Sequence, residues 1–169
     1  ERKRTEISLQ QRDEELELRN IELTRLYRAS EALLTGALDE LSDLAQTIVQ
    51  TVLQEFEQTN CSLLLLNHDT GDLERVAVAG SYAQEVGNAS LNLKKPGLVS
   101  KALRTAQIIN APDVLKEEEY ASNWKAARSE LVIPLKIGNN VIGALDVQSP
   151  TPDAFHEKDE RLMSIFADR

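Results

Sequence analysis

Between residues 130 and 148, apolar and polar positions alternate in two runs that meet at Gly138-Asn139-Asn140. Leu131, Ile133 and Leu135 fall on one side of an extended chain, and Val132, Pro134 and Lys136 on the other. Gly and Asn at the junction accept the positive φ angles of a tight turn, so the pattern predicts two antiparallel strands joined as a hairpin. The stretch that follows contains Pro150 and Pro152. Neither can donate an N–H to a ladder, so the chain leaves the sheet there, and a last helix begins near His156.

Earlier in the chain, Leu41, Leu44, Ile48, Val52 and Phe56 recur at spacings of three and four, the signature of a core-facing helix over about residues 38–57. Residues 62–66 and 73–79 read as strands, joined by the turn-forming run Asn67-His68-Asp69-Thr70-Gly71-Asp72. A short strand is expected near 89–93, a short helix after Pro96 from Leu98, and a strand-like fragment at 108–110. From Asp113 to Arg128 lies a polar connection that holds Tyr120 and Trp124; long connections inside a small domain tend to carry function. At the N-terminus, Leu9, Leu16, Leu23, Leu26 and Leu33 make a heptad-spaced stripe in a stretch rich in Glu and Arg. Such a helix is polar on most sides and needs a partner to bury its leucines, which predicts a parallel two-stranded coiled coil. Arg12 and Arg19 weaken the seam.

This order predicts an α+β fold. A central antiparallel sheet has the terminal helices on one face and a helix/loop cover on the other, and a long N-terminal helix precedes it. Two units are expected: a coiled-coil signalling helix over residues 1–34 and a globular domain over 35–169. A cavity is expected between the sheet and the covering segment, residues 94–128.

The residues that close the chain resemble the GAF domains of bacterial sensor proteins. The likeness rests on the strand beginning at Glu130, the Gly/Asn hairpin, the strand Val141-Ile142-Gly143-Ala144-Leu145-Asp146-Val147, and a Phe-x-x-x-Asp helix start at Phe155 and Asp159. It covers about residues 33–169. The resemblance implies a regulatory domain that dimerises through its entering and first helices and relays a signal to an output domain, a sensor histidine kinase of a two-component system. The alternative output is a diguanylate cyclase, phosphodiesterase, phosphatase or transcription activator, controlled by a small molecule bound in the GAF domain.

Composition narrows the chemistry. The net charge of −9 and the lack of a basic stripe with interleaved aromatics disfavour nucleic acid and anionic lipid as partners. No apolar run approaches the ~20 residues that span a bilayer, and no signal peptide is visible, so a cytoplasmic location is expected. The first residue is Glu1 rather than Met, and the last helix carries no stop signal, which together suggest a piece of a longer protein. A single cysteine, Cys61, excludes a disulfide framework and multi-thiolate metal sites, and it sits in an apolar run where a buried, inert thiol is expected.

Of the two histidines, His68 lies in a polar turn, and His156 occupies a helix-capping position with Asp159 as its capping-box partner. Neither has metal-ligand or triad partners. The residues that the resemblance places over the pocket include no cysteine, so neither a covalently attached tetrapyrrole nor another cofactor is expected. The Asn-Lys…Phe…Asp-Glu pattern of cyclic-nucleotide-binding relatives is not found, since Ala111 follows Asn110. The free methionine-sulfoxide reductases that share the fold need cysteines around the pocket, and the chain is therefore expected to be non-catalytic. If a small ligand binds, the covering segment offers Asn110, Asp113, Tyr120, Trp124 and Arg128, a set suited to a planar or anionic molecule. The alternative is that Tyr120 and Trp124 fill space over the sheet and Arg128 pairs with an acidic neighbour.

Overall fold

The computed structural model describes residues 12, 15–16, 18–25, 41–56, 60–67, 69–83, 91–121 and 124–167. The elements are α1 (Leu41–Phe56), β1 (Asn60–Leu66), β2 (Leu73–Gly80), α2 (Leu98–Thr105), β3 (Ile109–Ala111), β4 (Ser129–Ile137), β5 (Asn140–Ser149) and α3 (Glu157–Ala167), with a 3₁₀ turn at Val114–Lys116. The strands form one antiparallel sheet in the order β2-β1-β5-β4-β3.

The hairpin of β4 and β5 is closed by Gly138 and Asn139, with Gly138 at φ +60°, and the pair Ile137↔Asn140 flanks the turn. It occupies the middle of the sheet because β5 pairs with β1 along its other edge, from Asn60↔Gln148 to Leu65↔Gly143. β3 covers only Glu130 to Val132 of the outer edge of β4, and Pro134 lies beyond the last of these pairs.

The two-residue period of the strands sorts their side chains onto two faces. Cys61, Leu63, Leu131, Ile133, Leu145 and Val147 point toward α1 and α3 and bury against Ala45, Val49, Val52, Phe155 and Met163. Leu64, Val132 and Ala144 point the other way and pack under Leu98, Val99 and Ala102 of α2 and Val114 of the 3₁₀ turn. The expected α+β architecture, helices on one face and a helix/loop cover on the other, is therefore the one observed. The buried stripe of α1 runs through Ala45, Val49 and Val52; Val52 was an expected member, while the expected Leu44 and Ile48 are half-buried and their neighbours Ala45 and Val49 take the inward positions.

The short strand expected at 89–93 reduces, among the described residues, to one bridge, in which Leu91 and Leu73 exchange backbone bonds of 2.7 and 2.9 Å. At the start of α3, Asp159 is buried and its carboxylate accepts the His156 N–H at 2.9 Å, closing half of the capping box. Residues 18–25 are helical, and Leu16 and Leu23 are exposed. Leu9, Leu26, Leu33 and most of the expected N-terminal helix lie outside the described residues, as does His68. No helix among the described residues is long and apolar enough to cross a membrane.

Candidate functional site

Four strands deliver polar side chains to the sheet face opposite α1 and α3, where the alternation would otherwise place apolar ones. Glu130 on β4 and Asp146 and Gln148 on β5 are each no more than 3% exposed. Register makes them neighbours, since Glu130 pairs with Gln148 and Val132 with Asp146. Gln148 Nε2 donates to Glu130 Oε2 at 3.3 Å and to Asp146 Oδ2 at 3.1 Å. Next along the sheet, Ser62 pairs with Asp146; its hydroxyl accepts the Arg75 Nε–H at 3.1 Å and shares a short hydrogen bond with the Tyr82 hydroxyl. Tyr82 in turn stacks at a tilt on Trp124, ring centroids 5.5 Å apart.

Above this floor is a cavity of about 210 Å³. Glu130, Asp146 and Gln148 form its base, and Lys95, Pro96 and the first turn of α2 form its rim. Gly97 at the N-cap of α2 has no side chain to close the first turn, so N–H groups of that turn remain without a side-chain partner. The cavity is thus rich in acceptors at its base and positive at its rim.

Burial sets the protonation of the base. Glu130 is pushed well above the ordinary carboxylate range, first by desolvation and then by the neighbouring Asp146 charge. Desolvation raises Asp146 to about 6, although Arg75 and the hydrogen bonds from Gln148 and Glu130 pull the other way. Both shifts favour a proton held by the pair, with the protonated Glu130 carboxyl as donor to Asp146.

Folding therefore raises the proton affinity of this pair, and the folded state binds more protons than the unfolded one between the unfolded and folded pKa values. Stability is greatest below the unfolded values and falls as pH rises through the folded ones. Glu130→Gln removes one titrating group. Urea denaturation at three pH values between about 5 and 8 should show wild type losing up to ~1.4 kcal/mol per pH unit per group, with a flatter profile for the variant. Parallel profiles would refute the raised Glu130.

The five site residues expected from the sequence lie apart from this cavity. Asn110 faces α3, where its Nδ2 donates to the Phe155 carbonyl at 3.1 Å and to Glu160 Oε1 at 2.7 Å. Asp113 caps the 3₁₀ turn through the Leu115 N–H and pairs with Arg128 at 3.4 Å and Lys116 at 3.7 Å. Desolvation works against it, but that N–H and the two cations hold its carboxyl below the usual range. Arg128 is thereby paired with an acidic neighbour, and its backbone ties Val114 to Ser149 through bonds of 2.9 and 2.8 Å. Trp124 is buried with Tyr82 and Ala127, and Tyr120 packs at the edge of the same cluster.

The residues at the base were missed because each was read as part of a strand. A signal was present: Asp146 interrupts Ala144-Leu145-Asp146-Val147, and Arg75 falls on the inward phase with Leu73, Ala77 and Ala79. Charges on the inward phase of a buried strand need a partner or a task. Cys61 lies on the opposite face, fully buried under the terminal helices, and desolvation raises its thiol well above the ordinary value.

A five-stranded antiparallel sheet with terminal helices on one face and a covered polar cavity on the other defines an α+β domain of two unequal layers around a sheet. The chain belongs to the GAF domain family, whose model matches residues 40–169. It is 37% identical over 72 residues to Protein YtsP of Bacillus subtilis, a match that takes in 43% of this chain and 44% of that protein. Among solved structures, it is similar to the GAF domain of an Acinetobacter phosphoenolpyruvate-protein phosphotransferase (25% identity, 86% of this chain and 87% of that one, TM-score 0.75). It is also similar to the type II free methionine-R-sulfoxide reductase of Thermoplasma acidophilum (27% identity, 76% of this chain and 91% of that one, TM-score 0.68).

The last likeness corrects the expectation that this chain is non-catalytic. Enzymes stand among its structural neighbours, and a catalytic role is compatible with the fold. The sequence inventory looked for histidines and clustered thiols, whereas the polar groups that the structure gathers at the cavity are carboxyls.

Proposed function

We propose that this GAF domain is a sensory module that binds a small molecule in the cavity over Glu130, Asp146 and Gln148. One observation carries the reading. Two acceptors of this base, Asp146 Oδ1 and Gln148 Oε1, are buried without a hydrogen-bond partner, a costly arrangement that a bound donor would relieve. Occupancy would shift α2 and the cover, and the sheet would pass that change to α1 and α3. In a parallel homodimer joined by the N-terminal helices, the change would reach an output domain of the sensor histidine kinase type, acting in the cytoplasm. The domain assignment, helix over 1–34 and GAF domain over 35–169, belongs to this proposal.

Native mass spectrometry of the purified chain tests both parts. The expected result is a dimer that retains a small molecule, with the molecule lost in Asp146→Asn. Sedimentation of the chain with and without residues 1–32 should convert dimer to monomer, and a monomer in both cases would overturn the dimer relay.

The likeness to the Thermoplasma enzyme favours a second reading, in which the same cavity holds a substrate. Incubation with free methionine-R-sulfoxide and dithiothreitol, followed by chromatography for methionine, separates the two. Turnover above the thiol-only control would establish the enzyme; its absence, with ligand retained, favours the sensor.

A further inference from the structure

The chemistry of the cavity specifies the ligand it would take, an inference that rests on the ligand-binding reading above. Both unpartnered atoms at its base, Asp146 Oδ1 and Gln148 Oε1, are acceptors, and both residues line the cavity. A ligand that completes this base must therefore donate. The third lining group, Glu130, hydrogen-bonds Asp146 in its protonated form and becomes a further acceptor once ionised.

Charge balance goes further. Among the described residues, the charged and titratable groups around the pair are Arg75 from β2, Tyr82 after β2, Cys61 from β1 and Lys95 at the rim. Burial and the Asp146 charge keep Tyr82 and Cys61 neutral. Arg75 is 4% exposed and hydrogen-bonded to Ser62, and it balances a single negative charge on the carboxyl pair. One added cation would balance the second.

We infer that the cavity selects a compact molecule with one primary ammonium group, which docks on Asp146, Gln148 and Glu130 at its base. The three N–H groups of an ammonium match the three acceptors. The exchange conserves charge inside the domain: R–NH₃⁺ enters as a cation, the Glu130 proton passes to bulk water, and the buried cluster with its ligand stays neutral. The rim sets the other end of the molecule. Lys95 and the first turn of α2 are positive, so a second cation is disfavoured there, whereas a hydroxyl or carboxylate is accepted. Diamines are thereby excluded.

The test uses the full chain and four probes: 2-aminoethanol, its neutral counterpart ethylene glycol, its anionic counterpart glycolate, and 1,3-diaminopropane. NMR titration should show saturable, millimolar-range shifts at residues lining the cavity for 2-aminoethanol alone. Its apparent Kd should fall as pH rises, by up to about tenfold per pH unit, the limiting slope for one proton released per ligand bound. Calorimetry in phosphate and in HEPES, two buffers without a primary amine and with different ionisation heats, should show that release directly.

In Glu130→Gln, proton release should vanish and 2-aminoethanol should bind more weakly, with an affinity that no longer changes with pH. In Asp146→Asn binding should be lost, with folding of both variants checked by circular dichroism. Equal binding of ethylene glycol or glycolate, binding without proton release, or no saturation by 2-aminoethanol in the folded wild type would each overturn the inference. If native mass spectrometry finds a neutral or anionic molecule in the cavity, the ammonium inference falls and the ligand-binding reading stands.

Discussion

Gly143→Ala is expected to destabilise the domain by at least about 3 kcal/mol, because the new methyl has nowhere to go. A Cβ built on Gly143 would stand 2.1 Å from the Leu64 carbonyl oxygen and 3.1 Å from Leu65 Cα. Both obstacles are backbone, so neither can turn aside as a flexible side chain would. Gly143 pairs with Leu65 on one side and Leu135 on the other, beside the register shift at Leu135/Lys136. Relief requires parting β5 from β1, which breaks the sheet at its centre. The midpoint of a urea transition should fall by about 1 M or more, given typical slopes. A midpoint close to wild type would mean that the two strands do not approach in this way.

Phe155→Ala should cost about 3–5 kcal/mol, the range for emptying a buried aromatic site. Phe155 is 2% exposed and lies in the core between the sheet and the terminal helices, with Leu162 and Met163 of α3 in the same cluster. The polar groups around it cannot close the space, because the Phe155 carbonyl is held by Asn110 and the next N–H by Asp159. The loss should appear as a lower urea midpoint together with faster amide exchange in α3, the element seated on that ring. A loss under about 1 kcal/mol would show that α3 repacks freely.

These two residues also show how far the sequence could be followed. Gly143 and Phe155 were legible as marks of the closing hairpin and helix, since alternation, turn residues and missing proline donors act locally. The antiparallel sheet and the side covered by the terminal helices followed from the same signals. The cavity did not, because it depends on which inward positions face each other across strands far apart in sequence. Glu130 and Asp146 are separated by a hairpin, and Ser62 and Arg75 by a turn; only register brings all four onto one face of the sheet. Asn110 shows the converse. Its position next to the covering segment suggested a pocket, but the phase of β3 turns its amide toward α3. A pairing of Arg128 with an acidic neighbour was the stated alternative; the neighbour is Asp113, and the pair pins the 3₁₀ turn rather than reaching the cavity.

The incomplete cover of β4 by β3 has a consequence for self-association. Beyond Val132 the outer edge of β4 is free of β3, and an open strand edge is a template on which a second chain can pair. That stretch carries Pro134, which has no N–H to offer, and Lys136, whose charge resists burial against another strand. Along that stretch of β4 a second strand would find a missing donor and a charge, so pairing from chain to chain is disfavoured there.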